Sequence, residues 1–175
     1  MKIVALYSSR FGHTLRIVNE MAYVWREQGI SVEIRPVCAA RKFPADADGV
    51  VLAGSVRYGF YSPKMRKFAK RFAAELNQLP SAFVGVSLSS EKREKSTVDT
   101  NVYAQKFFRN LRWKPATAKL FTGEVNFDLY RGVDKVMLNK ILEISGKPHG
   151  EGVKVDYTDW DAVREFAIDF AKLIA

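Results

Sequence analysis

The sequence predicts an α/β fold in which a parallel sheet is covered by helices on both faces. Short apolar runs of strand length alternate with longer segments in which apolar residues recur at helical spacing. Several of the short runs are almost continuously apolar, which is typical of strands buried on both faces. Because helices intervene between strands, neighbouring strands are expected to run parallel. The 175 residues contain no internal repeat and no linker, so we expect a single domain over 1–175.

Five segments carry the strand pattern and four carry the helix pattern. The second strand is expected at an edge of the sheet, because Pro36 lacks the N–H that an interior strand needs. Pro63 suits the first turn of a helix, and Thr158 followed by Asp161 resembles a capping box. A further helix between the second and third strands has only a weak signal. The predicted strands are 3–7, 31–37, 49–56, 82–88 and 118–125, and the predicted helices are 14–28, 62–76, 99–111 and 158–173.

The segment 126–154 lies between the last predicted strand and the last helix, and it is too long for an ordinary connection. Within it, the apolar residues of 132–146 span about half of a helical wheel, which is wide for a helix lying on a surface. One interpretation is that this helix docks on the core of its own domain. The other is that it covers a substrate or lies at a membrane interface, with Tyr130 and Arg131 at the level of the lipid headgroups.

The composition excludes several classes of protein. The single cysteine excludes an internal disulfide framework and a cysteine-based metal cluster, and with two histidines a structural zinc site is not expected. No apolar run approaches the length of about 18 residues that a membrane span requires, and the apolar N-terminus is too short for a secretory signal. The formal net charge of +9 favours an anionic partner, but no nucleic-acid-binding motif accompanies it. We therefore predict no metal site and no nucleic-acid partner.

Three loops follow the first, third and fourth predicted strands, and open α/β sheets bind ligands at the carboxyl ends of their strands. In the first loop, hydroxyl groups, a glycine and the start of a helix form the kind of arrangement that holds a phosphate; the alternative is an ordinary loop that Thr14 caps. In the second loop, the ring of Tyr58 either stacks on a planar ligand or packs on the end of the sheet. The candidate binding residues are Ser9, Arg10, Phe11, Gly12, His13 and Thr14, then Ser55, Val56, Arg57, Tyr58 and Gly59, and then Ser87, Leu88 and Ser89.

The first loop resembles that of the flavodoxin family, in which a serine or threonine, a glycine and a further threonine surround the phosphate of FMN. Ser9, Gly12 and Thr14 match that pattern, whereas Arg10 and Phe11 stand where the family usually has threonines. The resemblance implies a three-layer α/β/α sandwich with a five-stranded parallel sheet of order 2-1-3-4-5 and a long insertion, 126–154, near the last strand. It also implies FMN as the cofactor.

Further pieces of sequence extend the resemblance over nearly the full chain. They are Tyr7-Ser8-Ser9-Arg10, Val56-Arg57-Tyr58-Gly59, Leu79-Pro80-Ser81-Ala82-Phe83, Asn101-Val102-Tyr103-Ala104, Lys106-Phe107, Tyr130-Arg131, Ile144-Ser145-Gly146 and Tyr157-Thr158-Asp159-Trp160. Each piece is weak alone, but their order and spacing together are specific. In these pieces the chain resembles the flavodoxin-like, menaquinone-dependent protoporphyrinogen dehydrogenases of the haem pathway.

This second resemblance implies an FMN-dependent enzyme that oxidises protoporphyrinogen IX to protoporphyrin IX with a membrane quinone as the electron acceptor. It implies a cytoplasmic protein held peripherally at the inner membrane by anionic lipid, or a mitochondrial protein in a eukaryotic host. No catalytic acid or base is predicted, because the flavin carries the chemistry. Arg57 is a candidate contact for a propionate of the substrate. The oligomeric state is not assigned.

Two other functions are consistent with the same residues. One is an FMN-binding quinone reductase or a flavodoxin-type electron carrier with another donor. The net charge of +9 suits a carrier poorly, because electron-carrying flavodoxins are typically acidic. The other is a basic, flavodoxin-like binding module that holds no flavin. Flavin absorbance separates this module from the other functions, and activity with protoporphyrinogen separates the dehydrogenase from the carrier.

Overall fold

The computed structural model describes residues 1–88 and 97–175. Its central sheet consists of β1 (Lys2–Ser8), β2 (Ser31–Pro36), β3 (Gly49–Ser55), β4 (Ser81–Val86) and β5 (Thr117–Phe121). All neighbouring strands pair in parallel, and their order is β2-β1-β3-β4-β5. The predicted order is therefore confirmed. Pro36 ends β2 at an edge of the sheet, where its missing N–H removes no interior hydrogen bond.

Helices cover both faces of this sheet. They are α1 (His13–Glu27), α2 (Pro63–Arg71), α3 (Ala73–Leu76), α4 (Val102–Phe108), α5 (Val133–Ile144) and α6 (Trp160–Ile174). α1 and α6 pack together on one face, where the indole N–H of Trp25 donates to the carbonyl of Ala167 at 2.8 Å. α2, α3 and α4 pack on the other face around Phe83 and Trp113. The predicted three-layer sandwich is confirmed.

Several helical segments differ from the prediction, and α4, Val102–Phe108, is shorter at both ends than the helix expected over 99–111. Between β2 and β3, the described chain forms a short 3-10 turn, Val37–Ala39, in place of a crossover helix. The helix expected over 62–76 is divided at Phe72, whose backbone leaves the helical region at φ −111° and ψ 28°. The ring of Phe72 packs against Phe68 and Phe43, at 4.8 and 5.9 Å between ring centroids. Burial of this ring therefore accompanies the break.

The strand expected over 118–125 is also divided. β5 ends at Phe121, and a separate strand, β6 (Glu124–Asn126), pairs antiparallel with β7 (Lys154–Asp156). Asn126 and Lys154 are partners in this ladder. The segment 127–153, called the excursion from here on, therefore leaves the domain and returns to it at one place.

The final helix begins later than its predicted cap. Asp159 caps α6, because its carboxylate accepts the N–H of Ala162 at 3.0 Å. The predicted cap, Thr158, is used elsewhere: its hydroxyl lies 2.9 Å from the carbonyl oxygen of Thr122 and 2.7 Å from Nε2 of His13. Both residue types are good caps, so a tertiary contact decides between two neighbours that the sequence pattern does not distinguish.

The excursion packs against the rest of the domain in a small separate hydrophobic core. Leu138 and Leu142 of α5 pack with Val125 of β6 and with Phe127. The remaining apolar residues of α5 are exposed, and they are Val133, Val136, Met137, Ile141 and Ile144. One side of α5 therefore docks on its own chain and the rest of its apolar arc is left uncovered. None of the helices in the described part of the chain has the length and hydrophobicity needed to cross a bilayer.

Replacing 127–153 by Asn-Gly is expected to leave the five-stranded sheet folded. Asn126 and Lys154 face each other across the ladder, and a two-residue Asn-Gly turn closes an antiparallel pair. We expect an unchanged far-ultraviolet circular dichroism shape and a single cooperative thermal transition. A shortened chain that aggregates or melts without a cooperative transition would show that the excursion belongs to the folding core.

Candidate functional site

A cleft of about 850 Å³ lies at the carboxyl ends of β1, β3 and β4. It is lined by the three loops that follow those strands and by residues of β6, α5 and the segments that flank α5. A volume of this size is ordinary for small-molecule and cofactor sites. The position is the one at which open α/β sheets bind ligands.

The first loop presents an open anion site at the N-terminus of α1. Gly12 precedes the helix at φ +87°, a left-handed conformation that favours glycine, and its N–H donates to Oγ of Ser9 at 3.1 Å. No side chain caps α1, and its first turn carries no acidic residue. The N–H groups and the positive dipole end of the helix are therefore free to meet an anion.

The hydroxyl of Thr14 is the clearest sign of a missing ligand in this loop. Thr14 is buried, and its Oγ1 has no hydrogen-bond partner among the described residues. A buried polar group without a partner is costly. A phosphate at the start of α1 would provide the acceptor that this hydroxyl lacks, so the residues present fit such a group.

The second loop brings an aromatic ring and a cation to the cleft. Tyr58 has a φ of +51° and Gly59 follows at +79°; a positive φ is rare for a tyrosine and is often found at functional sites. The guanidinium carbon of Arg57 lies 4.6 Å from the centre of the Tyr58 ring. The N–H of Val56 donates to the carbonyl of Val86 at 2.9 Å, which ties this loop to β4.

The third loop connects the sheet to the excursion. The N–H of Ser87 donates to the carbonyl of Phe121 at 3.0 Å. This hydrogen bond fixes the start of the loop next to the end of β5. Leu88 packs against the small core of the excursion. Ser89, the last residue predicted in this loop, lies outside the described residues.

Asp134 joins two of these loops, and the sequence did not single it out. It lies in the first turn of α5, and its Oδ2 is 3.0 Å from Nη2 of Arg57 and 3.2 Å from Nη2 of Arg10. The hydroxyl of Tyr58 donates to its Oδ1. The hydrogen bond from Tyr58, followed by that from Arg57, holds the pKa of Asp134 below its usual value. The carboxylate is therefore ionised at neutral pH.

Phe11 also contacts the excursion. Its ring lies 4.6 Å from that of Tyr130 between centroids, at an interplanar angle of 48°, and the guanidinium of Arg10 lies 5.3 Å from the centre of the Phe11 ring. Burial raises the pKa of the Tyr130 hydroxyl, which is therefore uncharged at neutral pH. The two positions that depart from the flavodoxin pattern, Arg10 and Phe11, are thus the ones that meet the excursion.

The side chain of His13 contacts residues on both sides of the excursion in the chain, Glu124 before it and Thr158 after it. Its Nδ1 lies 3.2 Å from Oε2 of Glu124, and its Nε2 lies 2.7 Å from Oγ1 of Thr158. Arg16 also contacts Glu124, at 3.0 Å. With both ring nitrogens engaged in this way, the imidazole links α1 to β6 and to Thr158, which precedes α6.

The structure brings the predicted binding residues together. Of those that it describes, all line the cleft except Gly12, whose contribution is the backbone shape of the first loop. Residues outside this set also line the cleft, among them Tyr103, Glu124, Asp134 and Tyr157, which were not predicted as binding residues, and Met137 and Ile141 of the apolar arc. The wide apolar arc signalled Met137 and Ile141. No pattern signalled Asp134, because an acidic residue near the start of a helix is ordinary.

A doubly wound sheet of order 2-1-3-4-5, with a glycine-containing loop after its first strand that fits an anion, is typical of a flavodoxin-type domain. A sequence profile of the flavodoxin domain matches residues 4–151. A short-chain flavodoxin associated with a non-canonical PDU bacterial microcompartment superposes with a TM-score of 0.59 at 13% identity, covering 100% of this chain and 99% of that one. A Streptococcus pneumoniae flavodoxin gives 0.57 at 16%, covering 98% and 99%. Both structures show the fold.

Sequence similarity to named proteins assigns the chain to one family within this class. The protein named protoporphyrinogen IX dehydrogenase (quinone) from Escherichia coli strain K12 is 36% identical over 174 residues, which cover 99% of this chain and 96% of that protein. A Leishmania major protein of the same name is 34% identical over 98% of this chain and 75% of its own length. The chain belongs to this family of flavodoxin-domain oxidoreductases, and flavin binding is a property that the flavodoxin domain supports. The resemblance found in the sequence is confirmed.

The contacts of His13 predict how stability depends on pH. Burial lowers the pKa of His13 below its ordinary value of 6.5, against the nearby charges of Asp156 and Glu124, which raise it. The unfolded chain then binds a proton at a higher pH than the folded chain does. The contribution of this group to the free energy of unfolding is full above pH 6.5 and decreases as the pH falls through the window below it.

His13→Asn removes the titrating group, so its free energy of unfolding is expected to vary less with pH than that of the parent chain in this window. Urea unfolding at several pH values measures the difference. His149→Asn is the matched control, because His149 is the other histidine and is exposed. Equal slopes for the parent chain and His13→Asn would contradict the assignment.

Proposed function

We propose that this chain is an FMN-dependent enzyme that oxidises protoporphyrinogen IX to protoporphyrin IX and passes the electrons to a membrane quinone. The observation that carries the proposal is the 36% identity to the Escherichia coli dehydrogenase over 99% of the chain, because that alignment includes the excursion as well as the sandwich. The cleft supports it, since the flavin-type loops and the excursion line one cavity.

The cofactor proposed is FMN, because the first loop offers one phosphate site. Ser9, Thr14 and the N–H groups at the start of α1 would hold the phosphate, and Tyr58 lies in the loop that would flank the ring. The sequence has no Gly-x-Gly-x-x-Gly pattern of the kind that accompanies a pyrophosphate. When bound, the flavin supplies the chemistry of accepting and passing on electrons.

The cleft has the two properties that a porphyrinogen requires. Aromatic and aliphatic side chains line it, among them Tyr58, Met137 and Ile141, and they offer a surface to the macrocycle. Arg10 and Arg57 line it as well, and guanidinium groups pair well with carboxylates such as the two propionates of this substrate.

The quinone proposed as acceptor lies in a bilayer, and two surface properties suit a peripheral protein. The formal net charge is +9, and each basic residue near an anionic surface contributes about 1 kcal/mol to binding. Val133, Val136 and Ile144 of α5 are more than two-thirds exposed, at 73, 71 and 78%. We propose that this face of α5 lies at the inner membrane, on the cytoplasmic side in a bacterium or within the mitochondrion in a eukaryotic host.

Turnover tests the proposed function directly. Purified protein, loaded with FMN and mixed anaerobically with protoporphyrinogen IX and a menaquinone analogue in anionic vesicles, is expected to generate the fluorescence of protoporphyrin IX. Omission of the quinone should stop the reaction after the bound flavin is reduced. A flavin-loaded protein that reduces the quinone from another donor and leaves protoporphyrinogen unchanged would identify the carrier or quinone reductase instead.

Thr14→Val is expected to weaken FMN binding by about 1.5–3 kcal/mol, because it removes a hydrogen bond to a charged group. Fluorescence titration with FMN measures the loss, and Thr14→Ser should retain most of the affinity. The free energy of unfolding of the flavin-free protein should not fall, because the hydroxyl has no partner among the described residues. Unchanged FMN affinity in Thr14→Val, or release of FAD from the purified protein in mass spectrometry, would contradict the cofactor assignment.

Two double variants of α5 distinguish the roles of its two apolar faces. Each variant introduces two aspartates, so the added charge is the same. Met137 and Ile141 line the cleft, whereas Val136 and Ile144 are exposed away from it. Val136→Asp with Ile144→Asp should reduce binding to anionic vesicles in a sedimentation assay. Met137→Asp with Ile141→Asp should reduce porphyrinogen oxidation with a detergent-solubilised quinone and affect vesicle binding less. Identical behaviour of the two pairs would refute separate roles for the two faces.

A further inference from the structure

The ion pairs around Asp134 leave an excess of positive charge in the cleft. One carboxylate meets two guanidinium groups and one hydroxyl: Arg57 at 3.0 Å, Arg10 at 3.2 Å, and the Tyr58 O–H. Asp134 is the only acidic side chain within ion-pair distance of Arg10 or Arg57 among the described residues. Its side chain is 13% exposed, whereas those of the two arginines are 47% and 44% exposed.

The three donors belong to loops of the sandwich, whereas their acceptor belongs to α5. Arg10 follows β1, and Arg57 and Tyr58 follow β3, the neighbouring strand. Nη2 of Arg57 donates to the Tyr58 hydroxyl oxygen at 3.2 Å. The second loop is closed by two backbone hydrogen bonds between Arg57 and Phe60, at 2.8 and 3.0 Å. These contacts hold Arg57 and Tyr58 next to each other, and Arg10 faces the same point from the neighbouring loop. Two guanidinium groups and a hydroxyl suit a carboxylate.

The acceptor comes from a separate part of the chain. Asp134 follows Gly132, whose φ of +55° marks a turn at the start of α5, and no side chain caps that helix. α5 is anchored further along by Leu138 and Leu142, which pack with Val125 and Phe127. Asp134 meets the donors only through its side-chain carboxylate, so rotation of that side chain would release them.

We propose that Arg10, Arg57 and Tyr58 form a binding site for a propionate of the substrate, and that Asp134 fills this site until a substrate carboxylate displaces it. The inference rests on the proposed function for the identity of the ligand. A ligand with its own carboxylate restores every donor contact that Asp134 gives up. A neutral ester cannot restore the two ion pairs, so the donors favour the free acid, and Asp134 lowers the affinity for that acid by competing for them.

The test compares protoporphyrin IX with its dimethyl ester on the flavin-loaded, full-length chain. Asp134→Asn keeps the shape of the side chain and removes its charge. We expect the Kd of the diacid, measured by fluorescence titration, to fall about tenfold, and the Kd of the diester to stay unchanged. Asp128→Asn is the matched control: it makes the same charge change in the excursion, where Asp128 accepts the N–H of Gly152 at 3.1 Å.

Variants of the donors complete the test. Arg57→Gln and Tyr58→Phe should weaken binding of the diacid and leave the diester unaffected, and the gain from Asp134→Asn should be reduced in the Arg57→Gln background. Binding of the diacid that is unchanged or weaker in Asp134→Asn, with flavin absorbance retained, would overturn the inference and leave Asp134 as a structural contact.

The two proposals fail in different ways. If Asp134→Asn tightens binding of the diacid but no variant oxidises protoporphyrinogen, the carboxylate site stands and the proposed function falls. If turnover occurs and Asp134→Asn leaves the difference between diacid and diester as it was, the proposed function stands and the carboxylate site falls.

Discussion

The parallel direction of the five strands is the constraint on which the site depends. Each crossover returns the chain to the same edge of the sheet, so the loops after β1, β3 and β4 open side by side. Ser8 and Gly54 are partners in the β1–β3 pair. Arg10 and Arg57 follow them shortly in the chain, so both arginines reach the carboxylate of Asp134. α1 starts at this edge as well, which directs its free N–H groups to the cleft.

The excursion is the part of the chain that a simple flavodoxin-type sandwich does not need. It is fastened by the β6–β7 ladder, by the contacts of His13 with Glu124 and Thr158, and by the contacts of Asp134. His13 and Arg10 both lie next to residues of the first loop that fit a phosphate. The same loop therefore contributes both to the candidate phosphate site and to the contacts that fasten the excursion.

Continuous apolar runs predicted the buried strands, and the rule for strand ends predicted the three loops, because both follow from local pattern and simple topology. The resemblance carried by the first loop added the strand order. β7 has three residues and no pattern of its own. The cap of α6 falls on Asp159 because Thr158 has a tertiary partner, and the role of Asp134 depends on residues far away in the chain. Such contacts are settled by the fold and leave no local signal.

We propose that electrons from the porphyrinogen reach the quinone through a flavin held in this cleft. An anaerobic titration of the FMN-loaded protein with protoporphyrinogen IX, followed by absorbance, tests this claim most directly. Formation of protoporphyrin IX removes six electrons and one FMN accepts two, so about three equivalents of flavin should bleach for each protoporphyrin IX that forms. The band should return when a menaquinone analogue is added. Formation of protoporphyrin IX with the flavin band unchanged, or a bleached band that the quinone does not restore, would contradict the account.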